Sequence, residues 1–188
     1  MADATATARL LPLAVVGEGA LAVAGGVWLY VADHPVALGA AWPAWTGGAG
    51  VATGLWLMQW WLQTRAPRTT VVQALRDLQR TVLEPLFKSL SLAEVIAISA
   101  LAGVGEEIFF RGALQASLGW PLATVAFGAC HLGLSGRGWV LGLWATLAGA
   151  VLAWLAIATS GLVAPIVAHA GYDFAALLWI RRQARRRA

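Results

Sequence analysis

Six apolar segments, of which only the fourth is short, dominate the sequence, and their lengths constrain the fold more than any other feature. Of the 188 residues, 60% are hydrophobic and only 12% are charged. A helix of roughly 20 apolar residues crosses the hydrocarbon core of a bilayer, where a helix satisfies all its own backbone groups. We therefore predict an all-α, polytopic membrane helix bundle with about six transmembrane helices. The predicted spans are Leu10 to Val31, Val36 to Leu62, Leu92 to Leu118, Pro121 to Leu134, Trp139 to Ala158 and Leu162 to Ile180.

A more polar segment separates the second and third predicted spans. Apolar residues recur there at helical spacing, while charged residues such as Arg76 fall on the other faces. This pattern predicts an amphipathic helix lying at the membrane interface within residues 64–90. Pro85 is expected to kink or end that helix. Ser91 and Glu94 have the spacing of a capping box that opens the third span.

Basic residues cluster in alternate connections between the spans. Arg9 precedes the first span, several Arg and Lys residues follow the second, the single Arg137 follows the fourth and five arginines follow the sixth, whereas the intervening turns contain none. The positive-inside rule then predicts that both termini are cytoplasmic. This topology accounts for the net charge of +4, so nucleic acid is not an expected partner. The first apolar run is longer than a secretory h-region, which predicts a retained span, and the simple topology favours a bacterial inner membrane.

Three charged residues, Glu106, Glu107 and Arg111, interrupt the third predicted span. A charge near the centre of a bilayer costs at least about 2.5 kcal/mol, and such residues usually face a partner or a wet cavity. Glu107 and Arg111 are four residues apart and share one helical face, so they are expected to form an ion pair. Glu106 is rotated by about 100° from Glu107. It is therefore the acid left available for general acid or base chemistry.

Later spans carry three more ionisable residues, His131, His169 and Asp173. Counted at 1.5 Å per residue from the non-cytoplasmic ends, Glu106 lies about 18 Å deep, His131 about 15 Å, His169 about 10 Å and Asp173 about 16 Å. His169 and Asp173 also share a face at i, i+4. The common depth on three helices predicts a single functional site inside the membrane.

Several chemistries suit such a group of residues. A carboxylate with an imidazole can activate water, while a second imidazole stabilises the oxyanion that forms at a peptide carbonyl. Glu106, His131 and His169 could instead hold zinc. A third alternative is a non-proteolytic membrane scaffold or immunity protein in which these residues serve only stability. Cys130 is the only cysteine, and a helix turns it about 100° away from His131, so we do not expect a cysteine nucleophile.

Three motifs in series resemble those of the CAAX protease and bacteriocin-processing (CPBP) family of intramembrane endopeptidases. The chain has E-E-x-x-x-R at Glu106 to Arg111, F-x-x-x-H at Phe127 to His131, and H-x-x-x-D at His169 to Asp173. The resemblance implies a glutamate-type endopeptidase that needs no catalytic metal.

Roles for the motif residues follow from the same resemblance. It implies that Glu106 activates water together with His131, and that His169 and Asp173 bind the oxyanion or orient the site. Glu107 and Arg111 are implied to brace the acid. The prenyl-protein members of the family carry Asn where this chain has Asp173.

These observations combine into one predicted organisation. Residues 1–188 form a single membrane domain, in which 1–62 hold two spans, 64–90 the interfacial segment and 91–180 the catalytic core that resembles the CPBP family. The expected partners are the lipid bilayer and a membrane-associated protein or peptide, which the enzyme hydrolyses through water activated by Glu and His. No cofactor is expected, with zinc as the alternative.

Overall fold

The structure is a computed structural model that describes residues 10–35, 37–133 and 136–187, and within these ranges the chain forms seven helices and no strand. The all-α prediction is confirmed. In chain order the helices are α1 Leu10–Val31, α2 Trp42–Thr64, α3 Thr70–Phe87, α4 Leu92–Leu118, α5 Trp120–Cys130, α6 Gly138–Ala158 and α7 Val163–Arg187. Two of them contain π-helical turns, at Gln79–Leu83 in α3 and at Glu107–Leu114 in α4.

Among the described residues, three helices are long and apolar enough to cross a membrane, namely α1, α6 and α7. The chain is therefore an integral membrane protein. Helices α3 and α4 pass the same test only together, as a pair bent by 116°, which brings the number of spans to four at most. Helix α2 has 23 residues but is less apolar, and α5 has only 11. The count of six spans thus stays a prediction.

The predicted start of the second span and the predicted end of the fourth are wrong. Hydrophobicity alone does not report the proline that favours a helix start or the cap residue at which a helix ends. Helix α2 begins at Trp42, with a proline in its first turn, a position that prolines favour. Of the residues predicted to precede it in the helix, Val36 lies outside the described ranges, and 37–41 are not helical. Helix α5 ends at Cys130, so His131 is its C-cap with φ −95° and ψ 1°.

The amphipathic segment forms helix α3, which the side chain of Thr69 caps by accepting a hydrogen bond from the Val72 N–H at 3.3 Å. Of the two expected effects of Pro85, a kink or an end, the helix does not end at the proline but two residues later. A π-helical turn directly precedes it, in which the Glu84 N–H bonds to the Gln79 carbonyl. Because a π turn pairs residues five apart, the i to i−4 bond that Pro85 cannot make is not needed, and the helix continues to Phe87.

The predicted capping box at the start of α4 is confirmed. The Ser91 N–H donates to Glu94 Oε2 at 2.7 Å, and the Glu94 N–H donates to Ser91 Oγ at 3.1 Å. These two bonds satisfy backbone donors that the first turn of a helix leaves free. The box fixes where α4 starts after the sharp bend from α3.

Helix α7 packs against both α2 and α4, while α1 packs along α4 and α5 packs along α6. Small residues allow the closest of these approaches. A side chain at Gly103 of α4 would bring its Cβ to 2.7 Å from the Cβ of Ala170 on α7. Ala170 follows His169 directly, so this tight contact helps to set the position of that histidine relative to α4.

Candidate active site

The acids of α4 lie at the point where the helix changes from α to π geometry. Glu106 is the last residue of the α-helical part, and Glu107 opens the π-helical turn. Both carboxylates and Arg111 are buried, with relative exposures of 9% for Glu106, 0% for Glu107 and 4% for Arg111. π-helical turns within α-helices frequently mark functional sites. The pattern of this helix alone had predicted a regular α-helix here.

Glu107 and Arg111 form the predicted ion pair, with 2.9 Å between Glu107 Oε1 and Arg111 Nη1. The other terminal nitrogen of Arg111 donates to the Gly149 carbonyl of α6 at 3.0 Å. The guanidinium also lies over the Phe127 ring of α5, 4.2 Å from its centroid. Arg111 thus ties α4 to α5 and α6 while it neutralises Glu107.

Glu107 has a second partner that the sequence did not predict. His169 Nδ1 lies 2.7 Å from Glu107 Oε1, the oxygen that also contacts Arg111. Because an ionised carboxylate can only accept hydrogen bonds, Nδ1 of His169 is the donor. The other ring nitrogen, Nε2, is directed toward Asp173 Oδ2 at 3.6 Å. Glu107 therefore holds both the arginine and the histidine in place.

Glu106 faces the other histidine of the site. Its Oε2 lies 3.9 Å from Nε2 of His131, and within the described part of the chain this buried oxygen has no hydrogen-bond partner. His131 Nδ1 lies 2.8 Å from the Phe127 carbonyl. A carbonyl only accepts, so Nδ1 carries the hydrogen, and in a neutral ring Nε2 presents its lone pair toward Glu106.

Phe127 separates and supports the two histidines. The centroid of its ring lies 4.7 Å from that of His131 and 5.8 Å from that of His169. Behind it, Phe110 makes an edge-on contact at 5.1 Å and belongs to the same buried apolar cluster. The F-x-x-x-H motif therefore supplies a histidine, the carbonyl that fixes its tautomer, and the ring against which it packs.

A cavity of about 250 Å³ opens beside these residues. His131, His169 and Asp173 line it, and Glu106 is adjacent because its neighbour His131 forms part of the wall. Most of the other wall residues are apolar, and they include Leu75, Leu78, Leu83 and Phe87 from one face of α3. The cavity thus joins the ionisable groups to the amphipathic helix.

The structure brings all six predicted site residues together, with Glu107, rather than Glu106, at the centre of the contacts. Within the described ranges, no group of three or more His, Cys, Asp or Glu side chains is arranged to hold a metal ion. Zinc binding by Glu106, His131 and His169 stays an untested alternative. Cys130 is exposed.

Glu18 is an additional acid of the site that the sequence reasoning missed. It lies on α1 against Gly105, where an added Cβ would come within 3.1 Å of the Glu18 Cβ. A buried oxygen of its carboxylate, Oε2, has no hydrogen-bond partner among the described residues. Glu18 is the one charged residue in the sequence of α1, and a charge within an apolar span is costly, so the sequence carries the same signal at Glu18 as at Glu106.

Comparison with known proteins bears on the segment that carries these residues. The family model described as Type II CAAX prenyl endopeptidase Rce1-like matches residues 88–175. Searches of curated proteins and of solved structures gave no match. The matched segment runs from the end of α3 into α7 and contains Glu106, Glu107, Arg111, His131, His169 and Asp173. The resemblance that the three motifs indicated is confirmed, because this match to a family of type II CAAX prenyl endopeptidases covers all three motifs.

Proposed function

We propose that this protein is a glutamate-type intramembrane endopeptidase that hydrolyses a peptide bond in a membrane-associated protein or peptide. One observation carries the proposal above the others. A buried carboxylate oxygen of Glu106 without a hydrogen-bond partner in the described chain lies 3.9 Å from the Nε2 of His131, whose tautomer is fixed from behind. That separation exceeds a direct hydrogen bond and suits two groups that bind one water between them.

In the proposed reaction, a water donates one hydrogen bond to Glu106 and the other to His131. Its oxygen attacks the substrate carbonyl carbon as Glu106 takes the proton, which gives a tetrahedral oxyanion. Glu106 then passes that proton to the amide nitrogen as the C–N bond breaks, which leaves a carboxylic acid and an amine. The net change is the addition of one water across the peptide bond.

His169 is the proposed donor to the oxyanion. An imidazolium at this position donates through Nδ1 to Glu107 and retains a second N–H at Nε2. The 3.6 Å between Nε2 and Asp173 Oδ2 is too long for a good hydrogen bond, so this N–H is available to a substrate oxygen. Asp173 then orients the ring by charge, a role that the neutral Asn of the prenyl-protein enzymes cannot fill.

The family name supplies the first substrate to test. Relatives described as CAAX prenyl endopeptidases lead us to propose a peptide with a prenylated C-terminal CAAX sequence as one probe. An unprenylated peptide of the same sequence is the second, so that the need for the lipid anchor is tested directly. We further propose that the protein resides in a bacterial inner membrane with cytoplasmic termini.

The decisive experiment measures cleavage of internally quenched peptides by purified protein in liposomes. Glu106→Gln and His131→Ala should each lower kcat by about 10²- to 10⁴-fold. Glu94→Gln is the matched control, since it changes an acid of the same helix that serves only the capping box. Wild-type rates in a folded Glu106→Gln protein would refute the proposal. Stoichiometric zinc that is lost together with activity on chelation would favour the zinc-dependent alternative instead.

A further inference from the structure

A chain of hydrogen bonds crosses the catalytic cavity away from the acids and histidines. Trp144 Nε1 of α6 lies 2.6 Å from the Tyr172 hydroxyl of α7. The same hydroxyl lies 2.5 Å from Gln59 Oε1 of α2. All three residues line the cavity that His131 and His169 also line. The chain therefore joins three helices at the wall of the proposed active site.

The chemistry of these groups fixes the direction of every bond in the chain. An indole nitrogen can only donate, so the Tyr172 oxygen accepts from Trp144. Tyr172 then has one hydrogen to give, and it donates this to Gln59 Oε1. The amide of Gln59 is thereby oriented with its oxygen toward Tyr172 and its NH₂ group in the opposite direction. Both N–H bonds of Gln59 remain to be satisfied.

The NH₂ group of Gln59 has no hydrogen-bond partner among the described residues, although the residue is only 8% exposed. It is not among the fully buried polar atoms that lack a partner, so it is reachable from the cavity that Gln59 lines. Gln63, one turn further along α2 and also in the cavity wall, differs in this respect. Its amide nitrogen already donates to the Leu75 carbonyl at 3.4 Å.

We propose that Gln59 is a substrate-binding residue that donates a hydrogen bond to a backbone carbonyl of an extended peptide in the catalytic cavity. This inference rests on the proposed endopeptidase function and specifies how the substrate is held. A peptide backbone offers a carbonyl acceptor whatever its side chains, and the surrounding wall is apolar, which strengthens such a bond. Gln59 lies outside residues 88–175, so the N-terminal helices contribute to substrate binding as well as to the membrane domain.

The first test compares three variants with the peptide probe that the wild type cleaves best. Gln59→Met keeps the length of the side chain and removes its donors, and we expect KM to rise about 3- to 10-fold with kcat within twofold. Gln63→Met makes the same change in the same cavity, and KM should stay within twofold. Tyr172→Phe leaves the Gln59 donors in place, so its effect on KM should be smaller than that of Gln59→Met.

A second test identifies the contact itself. Replacing one peptide bond of the substrate at a time by an ester weakens the carbonyl acceptor at that position. For the wild type, one ester position should raise KM, and that position should have no further effect in Gln59→Met, because variant and ester remove the same bond. A purely structural role for Gln59 would leave the ester effects additive. If Gln59→Met does not fold, Gln59→Asn, which shortens the reach of the amide, replaces it.

Binding separates this proposal from the proposed function. The affinity of the fluorescent peptide for Glu106→Gln protein is measured with and without Gln59→Met, so that no cleavage is needed. A 3- to 10-fold weaker Kd in the double variant supports the inference even if the wild type cleaves neither probe. Equal Kd values, or an equal weakening by Gln63→Met, would overturn it.

Discussion

His169 Nδ1 and Arg111 Nη1 both contact the same oxygen, Oε1 of Glu107, at 2.7 Å and 2.9 Å. One carboxylate on α4 therefore fixes a histidine from α7 and the guanidinium that reaches α6. Glu106, the residue directly before it in the chain, contacts neither of them by a hydrogen bond. Adjacent acids thus have different surroundings, which leads to different expected outcomes when each is changed.

Glu107→Gln should affect stability much more than Glu106→Gln does. The substitution leaves the buried Arg111 without its counter-charge, and breaking a buried ion pair typically costs about 3–5 kcal/mol. Glu106→Gln removes a carboxylate that has no such partner, so the protein should unfold near the wild-type temperature while it loses activity. Thermal unfolding in detergent, followed by circular dichroism, measures both. Equal unfolding temperatures for the two variants would contradict the assignment of a stabilising role to Glu107 and not to Glu106.

Arg111→Lys should destabilise the protein, because lysine cannot make all the contacts of the arginine. A lysine can still pair with Glu107, but it lacks the second planar N–H that bonds to the Gly149 carbonyl and the flat face over Phe127. We expect a loss of about 1–3 kcal/mol in the free energy of unfolding. Chemical denaturation of the variant measures it. Arg182→Lys, a substitution near the end of α7 and outside this network, provides the control and should change stability by less than about 0.5 kcal/mol.

Phe127→Leu should lower activity through the geometry of two histidines. The leucine preserves an apolar side chain but removes the ring that contacts His131 at 4.7 Å and His169 at 5.8 Å. Misplacement of catalytic groups by about 1 Å can cost about 10²-fold in rate. We expect kcat to fall by about 10- to 100-fold while KM changes little. A kcat within twofold of the wild-type value would show that the ring does not position the histidines.

Gly103→Val should disturb the site without touching any ionisable residue. The new side chain would collide with Ala170 on α7, next to His169. Overpacking of this kind typically costs about 1–3 kcal/mol, and movement of α7 should separate His169 from Glu107. Kinetics and unfolding measurements on the same preparation test both effects. Gly47→Val is the control, since an added Cβ at Gly47 meets nothing within 4 Å.

Local signals predicted much of the site because its residues act through short spacings. The i, i+4 pairs of Glu107 with Arg111 and of His169 with Asp173 follow from helix geometry, and so does the capping box of Ser91. The Glu107 to His169 bond joins residues 62 positions apart. Nothing in the period of either helix specifies which faces meet, so that bond required the tertiary structure.

Other features were missed for separate physical reasons. The π-helical turns depend on how α3 and α4 pack, and hydrophobic periodicity does not report them. Gln59 and Tyr172 are uncharged and carry no cost signal comparable to that of a charge in a membrane. The end of α5 was predicted too late in the chain, because the apolar run continues through Leu132 and Gly133 although the helix ends at Cys130.

Because of the π-helical turn, the side chains of α4 before and beyond its start point in directions that one continuous α-helix would not give them. Before the turn, Gly103 lies against α7. Within the turn, Arg111 reaches α5 and α6. Glu106 and Glu107 lie where the α-helical part of α4 ends and the π-helical turn begins. Deletion of one residue of the turn that is not a site residue would keep every functional side chain but return α4 to a continuous α-helix. The acids would then no longer meet both of their histidines.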